Sequence, residues 1–264
     1  ASANYMVEDL CLFLRRLGVE ISSLGGADIK IKGLRSIKKN ITYHLSEDPI
    51  EAMFFISLAV CTGSELTVKR CPIKFLRLEL EKLRRMGLRF RLGSTYKAKN
   101  GHTDLVDIVI YPSRLTALPD KIHSLPFPGI NIDNLPFFVP IAARAKGTTM
   151  IHDWVYENRA VYFSELNRLG AKITLLDPHR VLINGPVRFR GAEMVAPPAL
   201  RPAAILLVAM LAASGQSVLR NVYPINRGYE NLSERLREIG ADIRYVKECS
   251  PSFKDAKNSP KSAN

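Results

Sequence analysis

The chain is built on a two-part motif: an apolar helical segment that stops at a glycine, then a charged helical segment that stops at another. The motif occurs three times in full and once more, near the start, as a charged half alone. The charged halves are 13–21 (FLRRLGVEI), 81–90 (EKLRRMGLRF), 164–173 (SELNRLGAKI) and 234–243 (ERLREIGADI), punctuated by Gly18, Gly87, Gly170 and Gly240. Glycine suits the position after a helix end because it enters the left-handed region without a Cβ clash, and a short apolar strand is expected to follow it. The apolar halves are 54–68, 137–151 and 203–219, broken at Gly63, Gly147 and Gly215. Within each pair the two glycines stand 24, 23 and 25 residues apart. Such constancy identifies one supersecondary unit copied along the chain.

Alternating segments complete the unit. Residues 28–34, 107–111 and 179–185 read as strands with one buried and one wet face. Strands alternating with helices predict an α/β fold with helices packed on sheet, and the fixed period predicts units arranged about a pseudo-threefold axis.

With 264 residues, 47% of them hydrophobic, the chain can bury a substantial core. No stretch approaches the ~20 apolar residues of a membrane span, and no signal-peptide pattern opens the chain. Cys11, Cys61, Cys71 and Cys249 show neither metal-ligand spacing nor a disulfide framework, which fits a reducing, cytoplasmic setting. The stretch 247–264 is polar and aperiodic, so a disordered tail is expected. A net charge of +13 points to an anionic partner. Nucleic acid is disfavoured, because basic residues such as Arg15, Arg16, Arg84, Arg85, Arg235 and Arg237 fall on solvated helix faces with no interleaved aromatic strip.

Matched positions in the repeats are the strongest pointer to a site. Arg159 follows Gly147 by 12 residues and Arg227 follows Gly215 by 12, in what reads as the loop before the charged helix; the first unit has Phe75 there, beside Lys74. Asp133 precedes Gly147 by 14 and Arg201 precedes Gly215 by 14, at the entrances of the apolar helices, where the first unit has Asp48-Pro49. Equivalent positions of a pseudo-threefold assembly converge, so Asp133, Arg159, Arg201 and Arg227 are expected around one cleft. Guanidinium forks beside helix N-termini make a site for carboxylate or phosphate, and a lone carboxylate among them is suited to take a proton or hold a sugar hydroxyl. Two plainer roles remain open: Asp133 as a helix N-cap, and Arg159 and Arg227 as local partners of Glu157 and Glu230.

These residues also resemble a known family. Pro128-Gly129 through Asp133, Tyr156-Glu157-Asn158-Arg159 before 164–173, Leu200-Arg201 before an apolar helix, and 225–230 (INRGYE) before the last charged helix are similar to enolpyruvyl transferases, over residues 4–246. The resemblance is to the branch that acts in peptidoglycan synthesis. It implies an inside-out α/β barrel of repeated units, a fold shared with RNA 3′-terminal phosphate cyclases, and transfer of the enolpyruvyl group of phosphoenolpyruvate to the 3-hydroxyl of UDP-N-acetylglucosamine, with no cofactor and no metal. By the same resemblance Asp133 matches the candidate base that contacts that hydroxyl. Val155 matches a backbone contact to the nucleotide sugar, and Arg159, Arg201 and Arg227 match the arginines on the phosphoenolpyruvate side. Residues 1–46 are then expected to be the last half-unit of a nucleotide-sugar-binding domain otherwise missing here, 47–250 a complete three-repeat barrel, and 251–264 a tail. The sequence departs from the family at Ala199 and Asn226, where the pattern has Asp, and at Pro49, where it has Arg. Pro202 directly follows Arg201, and no cysteine lies in a loop matching the family's cysteine acid. These departures favour the alternative of a divergent, non-catalytic barrel that binds anions or nucleic acid.

Overall fold

The computed structural model describes residues 4–24 and 28–247. The opening half-unit is α1 (Tyr5–Arg16), then β1 (Glu20–Ser22) paired antiparallel with β2 (Lys30–Lys32). Cys11, Val19 and Ile21 form a small cluster between them, with Leu14, Leu24 and Ile29 packed against it. The strand expected at 28–34 is shorter than its pattern, and all three residues of β2 are exposed. Only Ile29, outside the ladder, reaches the cluster, so no second apolar face forms.

The first full repeat runs α2 (Pro49–Thr62), β3 (Leu66–Pro72), α3 (Arg77–Arg85), β4 (Arg89–Leu92), β5 (Tyr96–Lys97) and β6 (Asp104–Tyr111). The second runs β7 (Ile122–His123), α4 (Phe138–Arg144), β8 (Gly147–His152), α5 (Arg159–Phe163), β9 (Ile173–Asp177) and β10 (Arg180–Gly185). The third runs β11 (Glu193–Val195), α6 (Leu200–Leu211), β12 (Val218–Arg220) and α7 (Tyr223–Gly228). One sheet has the order β3-β6-β4 with β5 also on β6, a second has β7-β8-β10-β9, and β11 pairs β12. In both later repeats the strand before the apolar helix pairs parallel with the strand after it, β7 with β8 and β11 with β12. β6 and β10 are two-faced as their patterns predict: Ile108, Ile110, Val181 and Ile183 are fully buried.

The apolar helices explain the arrangement. Phe54 and Ile56 of α2, Phe138 to Ala143 of α4 except Pro140, and Ala203 to Leu206 of α6 have no measurable exposure. A helix apolar on every side is stable only when every side is covered. Here α2, α4 and α6 pack on one another, and the sheets close over them, β3 and β6 on α2, β8 and β10 on α4. Helices therefore lie within and sheets without, the inside-out α/β arrangement. The glycines do as their positions require: Gly63 caps α2 in the left-handed region, and Gly18, Gly87, Gly170 and Gly240 share that conformation.

Two helices differ from their sequence patterns. The charged helix of the second repeat is α only over Arg159–Phe163 and tightens to a 3-10 turn over Ser164–Leu169. Ser164 Oγ donates to the Val161 carbonyl at 2.6 Å, a local bond that competes with the regular ladder. The segment from Tyr229 forms a separate unit whose helix is α8 (Leu232–Glu238). After its Gly240 no strand follows among the described residues. Of the expected tail, 247–264, all but Lys247 lies outside the described residues, Cys249 included. Cys11, Cys61 and Cys71 are buried and free, and burial pushes the thiols of Cys61 and Cys71 up to about 12. No helix of the described residues is long and apolar enough to cross a membrane.

The parallel pairing in the third repeat depends on a close backbone approach. Gly191 N donates to the Ser214 carbonyl at 2.8 Å, and a Cβ on Gly191 would stand 2.1 Å from the Gln216 carbonyl oxygen. Gly191→Ala is expected to destabilise the fold by about 1–3 kcal/mol, whereas Gly33→Ala, with nothing within 4 Å of its Cβ, should change it by less than about 0.5 kcal/mol. Urea unfolding of the two variants beside the parent measures both.

Candidate active site

The three helix entrances carry the site. At α2, Asp48 caps the helix, its Oδ1 accepting from Ile50 N at 2.8 Å. At the second entrance Asp133 does no capping. Its backbone N–H donates to Asn131 Oδ1 at 2.8 Å, and its own Oδ1 faces Arg159 Nη1 at 3.5 Å and Arg201 Nε at 3.8 Å. Arg201 opens α6 behind Ala199, which offers no capping side chain. Repeat equivalence thus brings Asp133 and Arg201 together as expected, and the N-cap reading of Asp133 is excluded.

Tyr5, on α1, joins the same neighbourhood. Burial pushes its phenol well above the ordinary tyrosine range, as does the Asp48 carboxylate that accepts its hydroxyl proton; Arg201 pulls the other way and Asp133 adds to the rise. The charges at all three entrances, Asp48, Asp133 and Arg201, therefore act on one phenol.

Arg159 is more deeply committed than its sequence position suggests. It lies at the first position of α5 rather than in a loop, turned there by Asn158 at φ 59, and it is 6% exposed. Its Nε donates to Asp153 Oδ2, its Nη2 donates to the Ile132 carbonyl at 2.7 Å, and its guanidinium stacks 4.4 Å from the centre of the Tyr156 ring. Glu157 is not its partner. Asp153 is fully buried, and its Oδ1 has no hydrogen-bond partner among the described residues. Arg159 thus spans a buried carboxylate on one side and the Asp133 carboxylate on the other.

The remaining residues are placed less tightly. Arg227 lies in the last turn of α7, again not in a loop, and is exposed. Its neighbour Gly228 abuts the side chain of Leu200, where a Cβ would stand 2.3 Å from Leu200 Cδ2. That contact holds the end of α7 beside the entrance of α6, while no distance ties the Arg227 guanidinium to Asp133. Val155 is exposed, in the loop between β8 and α5, with Trp154 and Tyr156 exposed on either side. Lys74, the first-repeat counterpart, turns to α1 and pairs with Glu8. Sequence reasoning missed Tyr5, Asp153 and Glu79. Glu79 had left a signal: it stands in the stripe Leu76, Glu79, Leu83, a carboxylate at helical spacing among leucines.

A carboxylate facing two guanidiniums at converging helix entrances is equipped to take a proton beside a bound anion. The model of one family, EPSP synthase (3-phosphoshikimate 1-carboxyvinyltransferase), matches residues 2–236. The chain belongs to that family. It is 34% identical over 245 residues to a UDP-N-acetylglucosamine 1-carboxyvinyltransferase of Treponema denticola, covering 92% of this chain and 56% of that protein. The protein of the same name from Bacteroides thetaiotaomicron is 32% identical, with 93% and 56% covered. Among solved structures, the enolpyruvyl transferase NikO from Streptomyces tendae superposes with a TM-score of 0.75 at 28% identity, over 92% of this chain and 55% of that one. EPSP synthase from Acinetobacter baumannii, at 20% identity and TM-score 0.73, shares the fold. The chain spans little more than half the length of the curated relatives it matches.

Loss of Arg159 would strand Asp153 as an unpaired buried charge. Arg159→Ala is expected to cost about 3–5 kcal/mol of unfolding free energy. Arg201→Ala, which leaves behind a carboxylate that water reaches, should cost distinctly less. Denaturant titration of both variants compares them.

Proposed function

We propose that this chain is the phosphoenolpyruvate side of an enolpyruvyl transferase acting on UDP-N-acetylglucosamine, in the first committed step of peptidoglycan precursor synthesis in the cytoplasm. The observation that carries the reading is Asp133 Oδ1 held between Arg159 and Arg201 at the meeting of the helix entrances. Beside the two guanidiniums, the Asp133 carboxylate can accept the proton of the sugar 3-hydroxyl as that oxygen attacks the enolpyruvyl carbon. Arg201 and the exposed Arg227 supply bidentate donors for carboxylate and phosphate. Arg159, with its donors already engaged by Asp153 and the Ile132 carbonyl, fixes the position of Asp133. Val155 offers its backbone to the nucleotide sugar. The family relationship supports transfer of a carboxyvinyl group, and the curated relatives named for UDP-N-acetylglucosamine support that acceptor. By the family resemblance the proton for the methylene carbon is assigned to a cysteine loop that no segment of this sequence matches; Cys11, Cys61 and Cys71 are buried.

A second reading has one observation in its favour. Ala199 leaves the α6 entrance without the capping carboxylate that Asp48 gives α2, as in a barrel that keeps anion binding and has lost turnover. Two measurements separate the readings. Calorimetric titration of the chain with phosphoenolpyruvate should show binding that Arg227→Ala weakens by about 1.5–3 kcal/mol, with the melting temperature nearly unchanged; an unaltered affinity counts against Arg227 as a ligand group. A phosphate-release assay with both substrates should show no turnover by the chain alone, because positioning two substrates between two domains accounts for about 7–11 kcal/mol of barrier lowering. Turnover is expected once the N-terminal portion of a related enzyme is added. Binding without turnover in that mixture selects the non-catalytic barrel, and turnover by the chain alone overturns the division of labour.

A further inference from the structure

Glu79 is a buried carboxylate for which neither the fold nor the proposed chemistry has yet supplied a use. It lies on α3, in the first repeat, at 2% exposure. Its Oε1 accepts two hydrogen bonds, from Asn131 N at 3.2 Å and from Asn134 Nδ2 at 2.9 Å, both in the second repeat. No cation pairs with it among the described residues; burial pushes its carboxyl up from the usual range, and the bonds from Asn134 and Asn131 offset part of the rise. An acid in this stripe is costly where a leucine would pack, so its retention calls for a specific partner.

The partner is the segment 131–134. Asn131, anchored to Glu79 through its backbone, accepts the Asp133 backbone N–H on its side-chain Oδ1 at 2.8 Å. Asn134, anchored through its side chain, donates its own N–H to the Asn131 carbonyl at 3.0 Å, and Leu135 N donates to the same carbonyl at 3.1 Å. From the opposite side Arg159 Nη2 holds the Ile132 carbonyl at 2.7 Å. Asn131, Ile132 and Asn134 are thereby tethered, and what remains free to face the cleft is the carboxylate of Asp133.

We propose that Glu79 is a positioning residue for Asp133: through Asn131 and Asn134 it fixes the segment that presents the Asp133 carboxylate to Arg159 and Arg201. Its consequence for ligand binding rests on the function proposed above, whereas the consequence for the segment itself does not. The test uses the full chain, comparing the parent with Glu79→Leu, which fills the space without an acceptor, and Glu79→Gln, which keeps one. Two quantities are read: amide hydrogen exchange at Asp133 relative to Val181 in the β10 core, and affinity for phosphoenolpyruvate. Glu79→Leu is expected to speed exchange at Asp133 about tenfold more than at Val181 and to weaken phosphoenolpyruvate about tenfold, and Glu79→Gln to restore both to within about threefold. Equal acceleration at Asp133 and Val181 would mean that Glu79 only stabilises the fold, and failure of the glutamine to restore the exchange would exclude the acceptor role; either result overturns the proposal. If the parent takes up no phosphoenolpyruvate, the anion-site reading falls and the exchange ratio alone decides the role of Glu79. Should Glu79→Leu fail to fold, Asn134→Ala removes one of its two donors and is judged by the same ratio.

Discussion

Burial of three helices that have no polar side governs the rest of this structure. Each of α2, α4 and α6 is too apolar to lie on a surface, and none can bury itself alone. Packed together they leave the sheets nowhere to go but outward, and their starts are gathered at one end. Burial of each large aliphatic side chain contributes about 1.5–3 kcal/mol, so the arrangement rests on many similar contacts. Ser57, whose Oγ donates to the Phe137 carbonyl at 3.0 Å inside this core, joins two repeats through a buried polar group.

The charged side chains at the gathered helix starts form an alternating series. Asp153 pairs with Arg159, Arg159 faces Asp133, and Asp133 faces Arg201. Its inner pair is almost dry, Asp153 fully buried and the Arg159 side chain 7% exposed, whereas the outer pair is wetter, Asp133 at 22% and Arg201 at 16%. The inner pair is expensive to desolvate and strongly held, so it sets geometry; the outer pair keeps more contact with water. The same gradient explains why Arg159 and Arg201, alike in sequence terms, do different work.

Much of this was legible in the sequence. The glycine spacing identified the repeats, the alternation of 107–111 and 179–185 identified two-faced strands, and the matched offsets brought Asp133 and Arg201 to one place. What the sequence hid was hidden for physical reasons. Arg159 sits in a helix because Asn158 adopts the left-handed region, and a non-glycine there carries no plain signature. β2 lost its buried face because only a residue beyond the ladder found the cluster. Tyr5 acts through partners far away in the chain and Asp153 through Arg159 across an element boundary, and a period-based reading registers only neighbours along an element. The conformation of residues 164–169 turned on one serine hydroxyl choosing a nearby carbonyl.

The three helix entrances carry Asp48, Asp133 and Arg201, two acids and one base, with Asp48 one residue ahead of the position that matches the other two. A scaffold with three identical slots would accept an asymmetric guest in any of three orientations, with nothing to prefer one over another. Changing the sign of one entrance narrows the choice, since an anionic end then meets its complement at Arg201 alone. Repetition supplied the geometry, and the difference among these three side chains gives the helix entrances a direction.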